Sequence, residues 1–233
     1  MNTQILKILF FIISGVELLG ELIFIFYNNP SLIYISKPLL MPCLMIYFYQ
    51  SVTKKDCLIT KILLISLFFS FLGDVFLMLP IDAFIFGLAS FLVAHLLYIT
   101  AFWKENNGFP ETNLKTVLTR LMILLFPASI LFAEMQKNLG NLILPVVIYI
   151  LVIETMGLTA WLRREYQSLN AYFLTFLGAI LFIISDSTIA INKFIQPFAF
   201  ARIIIMLTYI TGQFLIIEGM VRSQFYQYDA KNS

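Results

Sequence analysis

Two aspartates stand inside otherwise apolar stretches of membrane length, Asp74 in Ser70-Phe71-Leu72-Gly73-Asp74 and Asp186 in Phe182-Ile183-Ile184-Ser185-Asp186. An ionisable carboxyl near the middle of a bilayer-spanning helix costs about 2.5–3.5 kcal/mol on insertion scales. Carrying two points to chemistry or proton movement and away from a passive anchor. Carboxyls that share a low-dielectric setting divide into one acid and one carboxylate. Such a division supplies a general acid and a general base with neither metal nor cofactor. The competing reading makes the same carboxyls into buried ion pairs and hydrogen bonds that hold helices together.

The polar residues around them follow helical spacing. Ser70 and Asp74 are four apart and share a face. Downstream, Phe84, Gly87, Phe91, His95 and Tyr98 step by three or four into one stripe. Gly178, Phe182, Ser185 and Asp186 repeat the arrangement, and Tyr209 and Gln213 follow in the last apolar stretch. Gly73, Gly87, Gly178 and Ala179 are small enough to let helices approach closely. Asp74 and Tyr98 in the first half are echoed by Asp186 and Tyr209 in the second, a faint internal repeat of a kind that places sites near a pseudo-two-fold axis. Lys37 could stabilise an ionised partner or hold a lipid phosphate. Glu17 and Glu21 share one face of the first apolar stretch, and Glu154 lies well inside the sixth; these are candidates for a pocket or a proton path.

Positioning these groups requires helices in a membrane. Of the 233 residues 61% are hydrophobic and only 12% charged, where a water-soluble domain carries about a quarter charged. About 20 largely apolar residues cross the hydrocarbon core, and on that ruler there are eight spans, over 5–26, 30–50, 59–80, 82–103, 115–134, 139–161, 169–192 and 198–220. The fold expected is all-α, a polytopic integral membrane protein with one transmembrane domain over 1–222 and a short polar tail over 223–233. Asn28-Asn29-Pro30, Thr53 to Asp56, Pro80-Ile81-Asp82, Lys104 to Pro110, Arg163-Arg164-Glu165 and Gln196-Pro197 punctuate the connections. Lys7 before an apolar run resembles a signal peptide, but the run holds Glu17 and Glu21 and lacks a small-residue cleavage site, so it reads as the first span. Only Lys37, Lys137, Lys193 and Arg202 of the 15 basic residues fall on the side opposite the termini. The positive-inside rule therefore puts both termini in the cytoplasm.

Several classes are excluded. A net charge of +2 offers nothing to nucleic acid. Zinc and di-iron membrane enzymes need several histidines, and His95 is the only one. A retinal Schiff base needs a lysine deep in the late helices, whereas Lys193 sits at a helix end. Cys43 and Cys57 lack metal-ligand spacing and read as packed thiols.

The pattern Ser70-x-x-Gly73-Asp74, then Phe84-x-x-Gly87-x-x-x-Phe91-x-x-x-His95-x-x-Tyr98, resembles that of the YhhN-like transmembrane lysoplasmalogenases. Gly178-Ala179-x-x-Phe182-x-x-Ser185-Asp186 is similar to their second signature, and Lys37-Pro38, Pro145 with Tyr149, and Tyr209-x-x-x-Gln213 fit the same pattern. The resemblance runs from the second helix to the eighth. It implies a cofactor-free, metal-independent hydrolase that cleaves the vinyl ether of a lysophospholipid substrate, releasing a fatty aldehyde and glycerophospho-ethanolamine or -choline. Asp74 and Asp186 would be its acid and base, with the assignment between them open. Ser70, His95, Tyr98, Ser185, Tyr209 and Gln213 would line the substrate site, and Lys37, with Arg202 less directly, would meet the phosphate. The membrane would be the inner membrane in a bacterium. The rival reading is a proton-coupled carrier or lipid-binding membrane protein using the same carboxyls.

Overall fold

The computed structural model describes residues 2–79, 83–109 and 112–232, with side chains through Ser223. The expected connection at Pro80-Ile81-Asp82, the Pro110 at the end of the next one, and the side chains of the expected tail after Ser223 lie outside these residues. Among the described residues there are eight helices long and apolar enough to cross a membrane. They are α1 (Thr3–Tyr27), α2 (Ser31–Ser51), α3 (Leu58–Met78), α4 (Phe84–Glu105), α5 (Leu114–Met135), α6 (Ile143–Leu162), α7 (Leu169–Ala190) and α8 (Ala201–Asn232). The chain is an integral membrane protein, as its composition predicts.

Local chemistry sets the helix ends. Asn2, Cys57, Asn113 and Ser168 cap α1, α3, α5 and α7 by accepting from backbone N–H groups of the first turn, which satisfies donors that the helix itself leaves open. Asn28 ends α1 in the left-handed region at φ 52°, where Asn is better tolerated than most residues. Pro38, Pro42 and Pro127 lie inside continuous helices. Pro145 stands in the first turn of α6, where its missing N–H costs nothing. Two 3-10 turns, Gln136–Asn138 and Gly140–Leu142, join α5 to α6, and α7 continues into a π-helical turn, Ile191–Ile195. The seventh element therefore leaves α spacing where the sequence pattern expects the span to end.

The chain divides into two compact units, residues 1–101 with 227–233, and residues 102–226. In the first unit α1 packs on α2 and α2 on α3. Gly20 lets α1 approach α2, since a Cβ there would lie 3.2 Å from side-chain carbons of Leu32 and Ile33. In the second unit α6 packs against both α5 and α7. A buried cluster of Phe109, Leu124, Leu158 and Leu162 is extended by Trp161, Tyr166 and Ile180. Phe109 holds its place with φ at 56° and edge-on contacts to Trp103 and Tyr166. The apolar side chains left outside, such as Met122 and Phe126 of α5, are those a bilayer covers.

In the second unit α7 and α8 also approach closely. A Cβ on Gly178 would lie 2.7 Å from both the Gly212 carbonyl oxygen and the Ile216 nitrogen, and one on Gly212 would lie 2.8 Å from the Gly178 carbonyl. Those obstacles are backbone and yield only if the helices separate. Gly178→Ala is therefore expected to cost about 1–3 kcal/mol, the usual range for overpacking. Gly15→Ala, whose Cβ meets nothing within 4 Å, is the matched control. Thermal unfolding in detergent checks the pair, and equal Tm values would contradict the packing account.

Candidate functional site

In the first unit, Asp74 is presented by α3 on the same face as Ser66 and Ser70, the three spaced by four residues and all buried. The stripe on α4 turns towards this face. Gly73 is where they touch: a Cβ there would come within 2.6 Å of the Phe91 ring, and one on Gly87 within 2.7 Å of Leu77. Ser66 donates to the Ala94 carbonyl at 3.0 Å and shares a side-chain hydrogen bond with Tyr98. His95 and Tyr98 are fully buried beside these contacts. Five of the residues the spacing singles out, Ser70, Gly73, Asp74, His95 and Tyr98, are thus brought to one α3–α4 interface.

Lys37 lies on α2, half-buried, next to Ser36, whose hydroxyl donates to Glu17 Oε2 at 2.5 Å. Glu17 and Glu21 are buried on the α2-facing side of α1, where Gly20 allows the close approach. The expectation that they share a face holds.

In the second unit, Asp186 accepts a hydrogen bond at Oδ2 from the Tyr149 hydroxyl of α6. Its neighbour Ser185 donates to the Ile205 carbonyl of α8 at 3.1 Å, so this hydroxyl ties α7 to α8. Phe182 meets the Tyr209 ring edge to face, with centroids 5.4 Å apart, and Gln213 is fully buried one turn further along α8. Arg202 is half-buried at the start of α8, and Lys193 is exposed in the π turn. Glu154, on α6, is buried with no hydrogen-bond partner at Oε2 among the described residues.

The spacing of single helices does not bring out the contact of Tyr149 with Asp186, because it crosses between helices; only the family pattern marks Tyr149 in the sequence. A second feature has no counterpart in the sequence reading. Arg163, which reads there only as loop punctuation, is fully buried, and its Nη1 donates to Glu105 and approaches Met220 Sδ at 3.0 Å. Ser223 donates to the other oxygen of Glu105, and the Phe102 ring lies under the guanidinium at 5.1 Å. Beside them Gln167 donates to Asn106 at 2.8 Å. The only signal in the sequence is an acidic residue at one span end and a basic residue at another, and that is too thin to pair them. Among the described residues no three of His, Cys, Asp and Glu group as a metal site. Cys43 and Cys57 are free thiols, the first buried and the second serving as the cap of α3.

Known proteins of one kind resemble the chain. The YhhN family model matches residues 32–220. Lysoplasmalogenase TMEM86A of Bos taurus is 36% identical over 166 residues, covering 69% of this chain and 65% of that protein. Lysoplasmalogenase TMEM86B of Homo sapiens is 35% identical over 164 residues, covering 70% and 65%. A lysoplasmalogenase of Mycobacterium tuberculosis is 30% identical over 156 residues, covering 66% and 58%. The chain thus spans 58–65% of the length of these relatives. No solved structure matches it.

Proposed function

Since this chain belongs to the YhhN family, we propose that it is a lysoplasmalogenase, a hydrolase of the vinyl ether in lysoplasmalogens. The observation that carries the reading is the match over 32–220, which contains both intramembrane aspartates and every polar residue of the two signatures. Relatives named lysoplasmalogenase at 30–36% identity support it.

The chemistry suits the residues. A vinyl ether is hydrolysed by protonation at its outer carbon, which turns the ether oxygen into an oxocarbenium ion. Water captures that cation as a hemiacetal, and collapse releases the aldehyde and the glycerol hydroxyl. Water supplies the hydroxyl and the protons balance, so no oxidant or cofactor enters. Asp74 and Asp186 supply the acid and the base, the pairing general acid–base catalysis requires. Ser70, His95 and Tyr98 orient groups near Asp74, and Ser185, Tyr209 and Gln213 near Asp186. With both termini cytoplasmic, Lys37 lies towards the outer side of the membrane, where it contacts the phosphate of the lysophospholipid.

Aldehyde release from a lysoplasmalogen by detergent-purified protein tests the reading, with a saturated ether lysolipid as control. Release from the vinyl ether alone is expected. Absence of aldehyde from folded protein would overturn it and favour the carrier, which needs a sealed membrane and responds to a pH difference. In the same assay Lys37→Ala is expected to raise KM about tenfold with kcat nearly unchanged, the scale of one hydrogen bond to a charged group. An unaltered KM would remove the lysine from phosphate binding.

A further inference from the structure

Asp186 is held through its own carboxyl and through its neighbour, and that bears on how it transfers a proton. This inference rests on the proposed hydrolase reading. We propose that Tyr149 is a positioning residue, whose phenol fixes the orientation of the Asp186 carboxyl for its part in proton transfer.

A phenol is an O–H donor and a carboxylate an acceptor. Tyr149 is buried on α6 and directs its hydroxyl to Oδ2 of Asp186 on α7. The turn that carries Asp186 is held from the other side too, because Ser185 donates to the Ile205 carbonyl of α8 at 3.1 Å. Close packing of Gly178 on Gly212 keeps α7 and α8 from sliding apart two turns away. Asp186 is therefore anchored to α6 through its own carboxyl and to α8 through its neighbour. Fixed orientation matters for an acid or a base, since the proton it transfers must lie within hydrogen-bond reach.

The test is steady-state aldehyde release by detergent-purified wild type, Tyr149→Phe, Asp186→Asn and the double variant, together with protein bearing 3-fluorotyrosine at position 149. Tyr149→Phe is expected to lower kcat about tenfold or more with KM within about twofold. The double variant should be no slower than Asp186→Asn alone, because the phenol acts only through that carboxylate. Fluorotyrosine keeps the shape and changes only phenol acidity, so a changed kcat with unchanged Tm reports the hydrogen bond even where Tyr149→Phe fails to fold. Wild-type turnover in both position-149 proteins would remove Tyr149 from the mechanism and leave the hydrolase standing. A loss expressed wholly in KM would make it a substrate contact, and fully additive losses would also overturn the positioning role. Wild type that releases no aldehyde sinks the hydrolase reading, and this positioning role with it.

Discussion

Asp74→Asn and Asp186→Asn are each expected to lower turnover of a lysoplasmalogen by at least about 10²-fold, the lower bound of what a positioned acid or base contributes. Asparagine keeps the size and most of the hydrogen-bonding capacity of aspartate and loses the ionisable carboxyl. It therefore separates proton transfer from packing. At position 186 the amide oxygen can still accept from Tyr149, so the α6–α7 link survives. At position 74 the side chain is 2% exposed beside the close contact of Gly73 with Phe91, and an isosteric amide disturbs that packing least. Both variants should elute from size exclusion and unfold like wild type. Full activity in either one would strike that aspartate from the mechanism. A purely structural role predicts the opposite split, with stability lost and turnover per folded molecule retained.

The second large effect is on stability and concerns a group outside the proposed chemistry. Glu105→Ala is expected to cost about 3–5 kcal/mol, because removing one member of a buried ion pair strands the other charge. Arg163 is fully buried, and its Nε and Nη2 already lack hydrogen-bond partners among the described residues. Without Glu105 its Nη1 would be left with the Met220 sulfur, and Ser223 would keep only the Met220 carbonyl as acceptor. A fall in Tm on the order of 10 °C corresponds to this cost for a chain of this size. Replacing both partners with apolar groups, as in Glu105→Leu with Arg163→Met, should recover much of the loss, since desolvation of two charges is avoided. A double variant no better than Glu105→Ala would show that the pair's value lies in its shape and not in its charge balance. The paired measurement is Tm with detergent and protein concentration held fixed.

Eight spans are legible from hydropathy because each helix crosses the bilayer on its own terms: a run of about 20 apolar residues is the length the hydrocarbon core demands. The same holds for faces within one helix. Ser70 with Asp74, and Gly87, Phe91, His95 and Tyr98, need only the helical repeat, and all of them are buried in the structure. Interactions between helices are less accessible. Tyr149 and Asp186 belong to separate spans, and nothing in either periodicity selects the other as partner. Polar residues inside spans are also ambiguous for a physical reason. Ser14, Ser90, Thr155 and Thr188 donate to carbonyls four residues earlier in their own helices, a back-bond that satisfies a hydroxyl without any partner helix. Ser66 and Ser185 instead reach carbonyls on other helices, and spacing alone does not separate the two kinds. The π turn at Ile191–Ile195 marks where extrapolation fails outright, since one wider turn rotates everything beyond it off the α-helical face.

The order of helix contacts bears on how the chain is made. Within each unit most of the packing pairs are neighbours in sequence, α1 with α2, α2 with α3, α5 with α6 and α6 with α7, while α5 also touches α7. A segment leaving the ribosome thus meets a partner that is already in the bilayer, and most pairings close over short stretches of chain. Local contacts of this kind form early and quickly, and sequential completion limits the time that a polar carboxyl such as Glu17 or Glu154 faces lipid unaccompanied. Glu17 gains Ser36 as soon as the second helix enters. Asp186 gains Tyr149 on arrival, because α6 precedes it. Glu17 and Asp186 are thus delivered next to hydroxyls carried by the adjacent helix of the chain.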